Sequence, residues 1–370
     1  MTKSFFDTIV IGGGLVGSAI SFGLQRLDVN TLLLDEGDQA FRAARGNFGL
    51  VWVQGKGADF SPYAHWTWNS AENWGNLSDE IIDLTGNQLG YSKPGGLEIY
   101  CDEKDLKNRQ ERLLRLQAHQ PAFSFEVLGR NSVCNLVPGV GDDVIGAIYS
   151  PADGHVNPLF LLKGLQTAFR VKGGVTRNGE AAIRIIRDGT GYKVLTKKSS
   201  YFGEQIILAA GLGNNQLGAS VGLSIPIKPL RGQIIVTERL EKFFPFAATE
   251  IRQADEGSVM LGVSHEDVGF DDGTETKVIN KISQSAIRRF PMLAKAQAIR
   301  VWGALRVMTP DGYPIYEESQ TYPGIFGASC HSGVTLAAAH SYTLSASLLH
   351  KKLPKLLQPM SSERFTHATS

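Results

Sequence analysis

The thirty residues from Phe6 to Asp35, FDTIVIGGGLVGSAISFGLQRLDVNTLLLD, constrain the fold more than any others. An apolar run, Thr8 to Ile11, reads as a buried parallel strand, and Gly12, Gly14 and Gly17 follow at GxGxxG spacing. Leu15 to Leu27 has the apolar spacing of a helix, and Thr31 to Leu34 is a second buried strand ending on Asp35. Such an order is a βαβ unit in which each glycine has a purpose. Gly12 permits the strand-to-helix turn, Gly14 lets backbone approach a pyrophosphate, and Gly17 lets the helix sit close on the strand. The helix start offers N–H groups and a positive dipole end to an anion. Asp35, eighteen residues past Gly17, can accept ribose hydroxyls and would repel a 2′-phosphate, so a dinucleotide other than NADP is expected.

The 370 residues are enough for one large or two intimate domains with ample core. A net charge of +1 gives no electrostatic case for nucleic acid or an acidic membrane surface. Cys101, Cys134 and Cys330 are scattered, with no CxxC, no zinc spacing and no iron–sulfur spacing. No metal site is expected. The N-terminus has no cleavable signal pattern, and the apolar segment Gly333 to Leu349 is short for a membrane span and carries His340, Ser341, Ser345 and Ser347. It reads as a buried helix in a cytoplasmic protein with no transmembrane segment.

Further along, Arg42, Arg45, Gly46, Asn47 and Gly49 form a polar loop before the apolar Leu50 to Val53, suited to phosphates or a ring system. Pro62 to Leu84, with Trp66, Trp68 and Trp74, reads as one or two helices whose aromatic stripe belongs to the core. Gly95 to Cys101 reads as a strand and Asp102 to His119 as a surface helix. Asn157 and Pro158 have the pattern of an N-cap and first helical position. The buried run Gly203 to Gly211 ends on Ala209, Ala210 and Gly211, a second place for backbone to approach a nucleotide. From Ile225 longer β-like runs appear, Gly232 to Thr237, Ser258 to Val263 and Ile299 to Val307, interrupted by a helix from Thr274 to Phe290. They predict an inserted antiparallel sheet. The expected division is 1–60 with 150–225 and 322–350 for the nucleotide, 61–149 with 226–321 for substrate, and a loosely held polar tail over 351–370.

The segments IGGGLVGSAI, LLLDEG, DGHVNP, ILAAG, RGQI, LGVSHEDVGFD, LRVMTPDGYPIY and HSGVTLA together resemble the glycine oxidase and D-amino-acid oxidase family of FAD enzymes. The resemblance covers roughly Phe6 to Leu349. It implies an α/β fold, a Rossmann-like FAD-binding domain of the GR2 type with an inserted antiparallel-sheet α+β substrate domain. GLVWVQGKG, RVMTPDGYPIY and CHSGVTLA look most like the FAD-bearing β subunits of octopine- and nopaline-type opine oxidases or dehydrogenases. D-hydroxyproline dehydrogenase and hydrogen cyanide synthase subunits are similar.

By position, the resemblance implies that Leu15 and Val16 lie at the pyrophosphate turn, Asp35 and Glu36 at the ribose, and Ala43 and Ala44 by the phosphates. Asn47, Phe48, Gly49 and Leu50 fall beside the flavin, and Ala182 stands where the main chain holds the adenine. His331, Ser332, Gly333, Val334, Thr335 and Leu336 follow the flavin's pyrimidine edge. Arg306 matches the arginine that pairs with a substrate carboxylate, where a guanidinium gives a bidentate fork. His331 stands where glycine oxidases carry a second arginine-type contact, and either touches substrate or lines the flavin. Arg252 and Gln233 are weaker substrate candidates, while His265 reads as structural or exposed. With no cysteine between Arg300 and Tyr313, FAD is expected to be non-covalent.

The chemistry so implied is oxidation of a carboxylated secondary amine such as octopine or nopaline by hydride transfer to flavin N5. The resulting imine hydrolyses to an amino acid and a 2-oxo acid. Expected partners are an α subunit and a small iron–sulfur subunit in a hetero-oligomer, with FMN allowed at an interface. The alternatives are a stand-alone glycine or D-amino-acid oxidase, a D-hydroxyproline dehydrogenase-like enzyme, and a non-catalytic flavin-bearing assembly subunit. An NAD-linked dehydrogenase is disfavoured by the late ILAAG strand and by HSGVTLA.

Overall fold

The computed structural model describes residues 5–37 and 43–369, with side chains described as far as 366. Arg42 of the polar loop lies outside the described residues. At the centre are two parallel strands, β1 (Phe5–Ile11) and β2 (Thr31–Asp35), joined by the helix α1 (Leu15–Arg26). Ile9, Val10, Leu32, Leu33 and Leu34 are fully buried, as continuous apolar runs covered on both faces must be. The sheet runs Ile315–Glu318, Ile325–Ser329, Ser200–Leu208, β1, β2, Val175–Asn178. Every neighbouring pair along it is parallel except the first. Two antiparallel strands, Arg184–Asp188 and Gly191–Leu195, extend from Ser200–Leu208.

The helix Pro158–Val171 packs on α1 and on the helix Trp74–Thr85. Its start is fixed by the Asn157 side chain, which accepts from the N–H groups of Leu159 at 3.0 Å and Phe160 at 3.2 Å. The aromatic segment forms two helices, Ser61–Glu72 and Trp74–Thr85, with Trp66 and Trp74 fully buried. Residues 337–348 are helical, with a π-helical stretch over His340–Leu344. The serines of this apolar segment turn onto α1: Ser341 donates to the Ala19 carbonyl at 3.1 Å and Ser345 to that of Ile20 at 3.2 Å. Gly23 makes the approach possible, since a Cβ there would lie 2.1 Å from the Ser341 carbonyl oxygen.

The second sheet is antiparallel, in the order Ile251–Gln253, Ser258–Leu261, Lys228–Arg239, Ala298–Met308. A third joins Gly96–Tyr100, Gly146–Ser150 and Glu126–Gly129. The last of these strands and the helix Arg130–Leu136 carry too little apolar pattern for the sequence to announce them. Of the apolar run Leu50 to Val53 only Leu50–Val51 is strand, and Val53 and Gln54 give their N–H groups to the Asp153 carboxylate.

The tail is not loosely held. Lys355–Met360 and Ser362–Thr369 are 3₁₀-helical, and Leu357 and Met360 are fully buried in the main core. Arg364 grips Asp311 through Nε at 2.7 Å and Nη2 at 3.0 Å. Two apolar anchors in a polar stretch are enough to dock it. Among the described residues, no helix is long and apolar enough to cross a membrane.

Candidate functional site

Two adjoining cavities lie where the carboxyl ends of β1, β2 and Ser200–Leu208 meet the antiparallel sheet. The larger, about 420 Å³, runs from Asp35 and Glu36 past the glycine turn to Cys330 and His331. The smaller, about 210 Å³, lies under Arg306. Ala43, Asn47, Val307 and His331 line both.

The glycine turn is shaped by close backbone contact. Gly12 has φ +110°, and a Cβ there would lie 2.3 Å from the Ala209 carbonyl oxygen. A Cβ on Gly17 would lie 1.9 Å from the Gly12 carbonyl oxygen, so only glycine lets α1 leave the strand this tightly. Gly14 differs: its added Cβ meets nothing within 4 Å and enters the space of the cavity. Among the described residues no side chain caps α1, and Leu15 and Val16 of its first turn line the cavity with N–H groups that have no intrahelical acceptor. Asp35 braces the turn, accepting from the N–H groups of Gly13 at 2.6 Å and Gly37 at 2.8 Å. An elongated cavity with a glycine cradle, unpaired N–H donors at one wall and two carboxylates at its end fits a dinucleotide.

Ala44, Ala182, Ala210, Gly211 and Gly333 also line the larger cavity. Phe48, Leu50, Ser332, Val334 and Thr335 line the smaller one. Gly17, Gly49 and Leu336 line neither. Gly49 lies against Val156, whose N–H donates to its carbonyl at 2.8 Å, and Leu336 is fully buried in the core. Residues 331–336 enter the helix through a turn pinned at Thr335. The Thr335 carbonyl accepts from Trp74 Nε1 at 3.0 Å and Ser70 Oγ at 2.7 Å, and its hydroxyl donates to the Leu50 carbonyl at 3.1 Å.

Arg306 lines the smaller cavity from the strand Ala298–Met308. Its Nη1 donates to the carbonyls of Ser264 at 2.9 Å and Arg231 at 3.3 Å. The guanidinium lies across Gly232, where a Cβ would meet its Nη2 at 2.3 Å. Among the described residues Arg306 forms no ion pair. The pairs of Arg231 with Glu266, Asp271 and Glu275 instead secure the loop beneath it.

His331 lies at the junction of the cavities. Lys56 Nζ stands 3.3 Å from its Nε2, and the Lys56 charge, then burial, holds the imidazole pKa well below its ordinary value. Lys56 also donates to Ser332 Oγ at 3.0 Å, and Ser332 shares a hydrogen bond of 2.7 Å with Tyr63 Oη. Burial, with Arg112, Arg109 and Arg306 nearby, pushes the ammonium down to about 8. Sequence reasoning missed Lys56. Its only signal is one cation in an otherwise apolar and glycine-rich run.

Two of the weaker substrate candidates lie elsewhere. Gln233 sits between Gly232 and Ile234, which line the smaller cavity, so strand alternation turns its side chain to the other face. There it donates to Glu266 at 2.7 Å and accepts from the Glu275 N–H at 2.9 Å. Arg252 is buried against Met260, with Nη2 2.8 Å from the sulfur, and lines neither cavity. His265 is exposed and lines the smaller cavity. Among the described residues, no group of three His, Cys, Asp or Glu side chains is placed to hold a metal ion.

A family model described as FAD dependent oxidoreductase matches residues 7–346. The chain belongs to this family, and the dinucleotide that its larger cavity fits is FAD. One of the opine oxidase subunits of Rhizobium meliloti is 38% identical over 361 residues, 97% of this chain and 97% of the relative. Its counterpart in Agrobacterium tumefaciens (strain Ach5), also an opine oxidase subunit, is equally similar over the same shares. Among solved structures, glycine oxidase from Geobacillus kaustophilus aligns with a TM-score of 0.88 at 22% identity, over 97% of this chain and 98% of that one. That likeness extends to the fold.

Proposed function

We propose that this chain is the FAD-bearing catalytic subunit of an enzyme that oxidises opines, carboxylated secondary amines of the octopine and nopaline kind. The observation that carries this reading is Arg306, a guanidinium that forms no ion pair among the described residues and lines the cavity adjoining the FAD site. A substrate carboxylate completes it with a charge-assisted fork. Two relatives that are 38% identical over 97% of the chain are opine oxidase subunits, which supports the substrate class and a multi-subunit assembly.

FAD, when bound, would supply the two-electron oxidation at the carbon next to the substrate nitrogen. The chain's residues position the substrate. Arg306 fixes the carboxylate, and through it the carbon that bears it. The apolar lining from Phe48, Leu50 and Val334 excludes water from that carbon. The amine must be neutral, because its lone pair forms the C=N bond as hydride leaves. The imine then takes up water and divides into an amine and a 2-oxo acid. Reoxidation requires an acceptor. Partner subunits, an α subunit and a small iron–sulfur subunit, would carry those electrons away.

The test is the visible spectrum of the purified flavoprotein, recorded anaerobically with octopine, nopaline, glycine, sarcosine and D-proline. Bleaching by an opine, with slow recolouring in air, is the expected result. Bleaching by glycine alone would replace the opine reading with an amino-acid oxidase, and bleaching by none would remove the catalytic role.

A further inference from the structure

The smaller cavity contains more positive charge than one carboxylate can balance. Arg306 and Lys56 both line it, and no aspartate or glutamate is among its described lining residues. Arg109 and Arg112 stand beside the same turn. Arg109 is paired with Glu98 at 2.8 Å, and Arg112 donates to the Gly55 carbonyl at 3.2 Å. The acid that acts on Arg306, Glu266, is itself paired with Arg231. Two partly enclosed like charges with no carboxylate in contact among the described residues raise each other's free energy, and an anion contacting both relieves this.

Lys56 is built into its position. Asp153, fully buried, accepts from the N–H groups of Val53 and Gln54, and the Lys56 N–H closes a turn on the Val53 carbonyl at 3.0 Å. Gly55 and Gly57 on either side have φ of +70° and +74°. At the other end, Nζ has three protons, and its partners among the described residues are Ser332 Oγ and His331 Nε2. One N–H remains for a ligand. His331, held neutral by Lys56, accepts from the ammonium and is not itself a cationic anchor.

Resting on the function proposed above, we propose that Lys56 anchors a second carboxylate, so that the site selects secondary amines bearing a carboxylate on each side of the nitrogen. Arg306 takes the carboxylate on the carbon to be oxidised, and Lys56 takes the one on the other arm. An amine with a single carboxylate satisfies Arg306 and leaves Lys56 uncompensated.

The experiment uses the FAD-loaded enzyme and two unreactive thioethers, 2,2′-thiodiacetate with two carboxylates and methylthioacetate with one. Their dissociation constants are read from the flavin absorbance change. In Lys56→Met the thiodiacetate constant rises about 30-fold relative to that of methylthioacetate, as for loss of one charge-assisted hydrogen bond, and Lys56→Arg recovers most of it. The ratio of reduction efficiencies for octopine and sarcosine falls in parallel. Wild-type enzyme gives the same answer without a variant. Thiodiacetate affinity declines above about pH 8, where Lys56 loses its proton, and methylthioacetate affinity does not. Equal weakening of both probes in Lys56→Met, or superimposable pH profiles in wild type, would overturn the proposal. Failure of every amine to bleach wild-type flavin while thiodiacetate still binds through Lys56 would sink the catalytic reading and leave this one standing.

Discussion

Nζ of Lys56 lies 3.3 Å from Nε2 of His331, and the lysine's charge is the largest influence holding that imidazole neutral. Replacing Lys56 with Met removes it. The His331 pKa should then climb toward the ordinary 6.5, held back by burial and Arg306. Carbon-13 NMR of labelled histidine reads this directly. A His331 resonance that titrates identically in wild type and variant would show that the contact has no electrostatic consequence.

Arg306→Ala should raise KM for carboxylated amines about 100-fold, the ~3 kcal/mol expected of lost charge-assisted hydrogen bonds, while flavin content is retained. Arg306→Lys should recover only part of this, since an ammonium cannot form the planar fork. Steady-state kinetics beside the absorbance ratio at the protein and flavin bands checks both. An unchanged KM would mean the guanidinium only braces the Ser264 and Arg231 carbonyls.

Gly14 and Gly17 should fail differently. Gly14→Val adds bulk in the cavity proposed to hold FAD, so the protein should fold and purify colourless. Gly17→Val sets side-chain carbon against the Gly12 carbonyl oxygen, where a Cβ would lie 1.9 Å away, and should not give soluble protein. Circular dichroism and flavin fluorescence separate the two. Flavin retained at full occupancy in Gly14→Val would place the pyrophosphate elsewhere.

Asp153 gives stability a pH dependence. Burial pushes its carboxyl from 3.8 up to about 7. Between these values the folded chain keeps a proton that the unfolded chain has lost, so stability falls as pH rises through this window and levels off above it. The slope from this group is at most about 1.4 kcal/mol per pH unit. Asp153→Asn removes the titration, so the wild-type-minus-variant difference in Tm should shrink steadily from pH 5 to pH 7.5. A difference that is flat with pH would mean Asp153 is ionised throughout.

The parallel half of the fold was legible because its signals are local. Apolar runs, glycines at fixed offsets and the Asn157–Pro158 helix start each act within a few residues. What the sequence hid depends on distant partners. Lys56 looks like any surface lysine until Asp153, about a hundred positions later, fixes the turn that carries it and Ser332 accepts a hydrogen bond from its ammonium. Arg252 and Gln233 were plausible substrate contacts on strands, but which face of a strand meets a cavity is decided by register, and register is set by the neighbouring strands. The motif singles out Arg306; that Gly232, two positions along the neighbouring strand from its partner Leu230, makes room for the guanidinium is visible only with the strands paired. The C-terminal anchors Leu357 and Met360 are too sparse to form a periodic pattern, so burial there could be read only from the packed chain.

The docked C-terminus ties handling of the protein to its chemistry. Arg364 grips the Asp311 turn, which directly follows the strand carrying Arg306. Loss of the Arg364 grip, by trimming with a carboxypeptidase during purification, would therefore show itself as poorer substrate capture before any loss of colour.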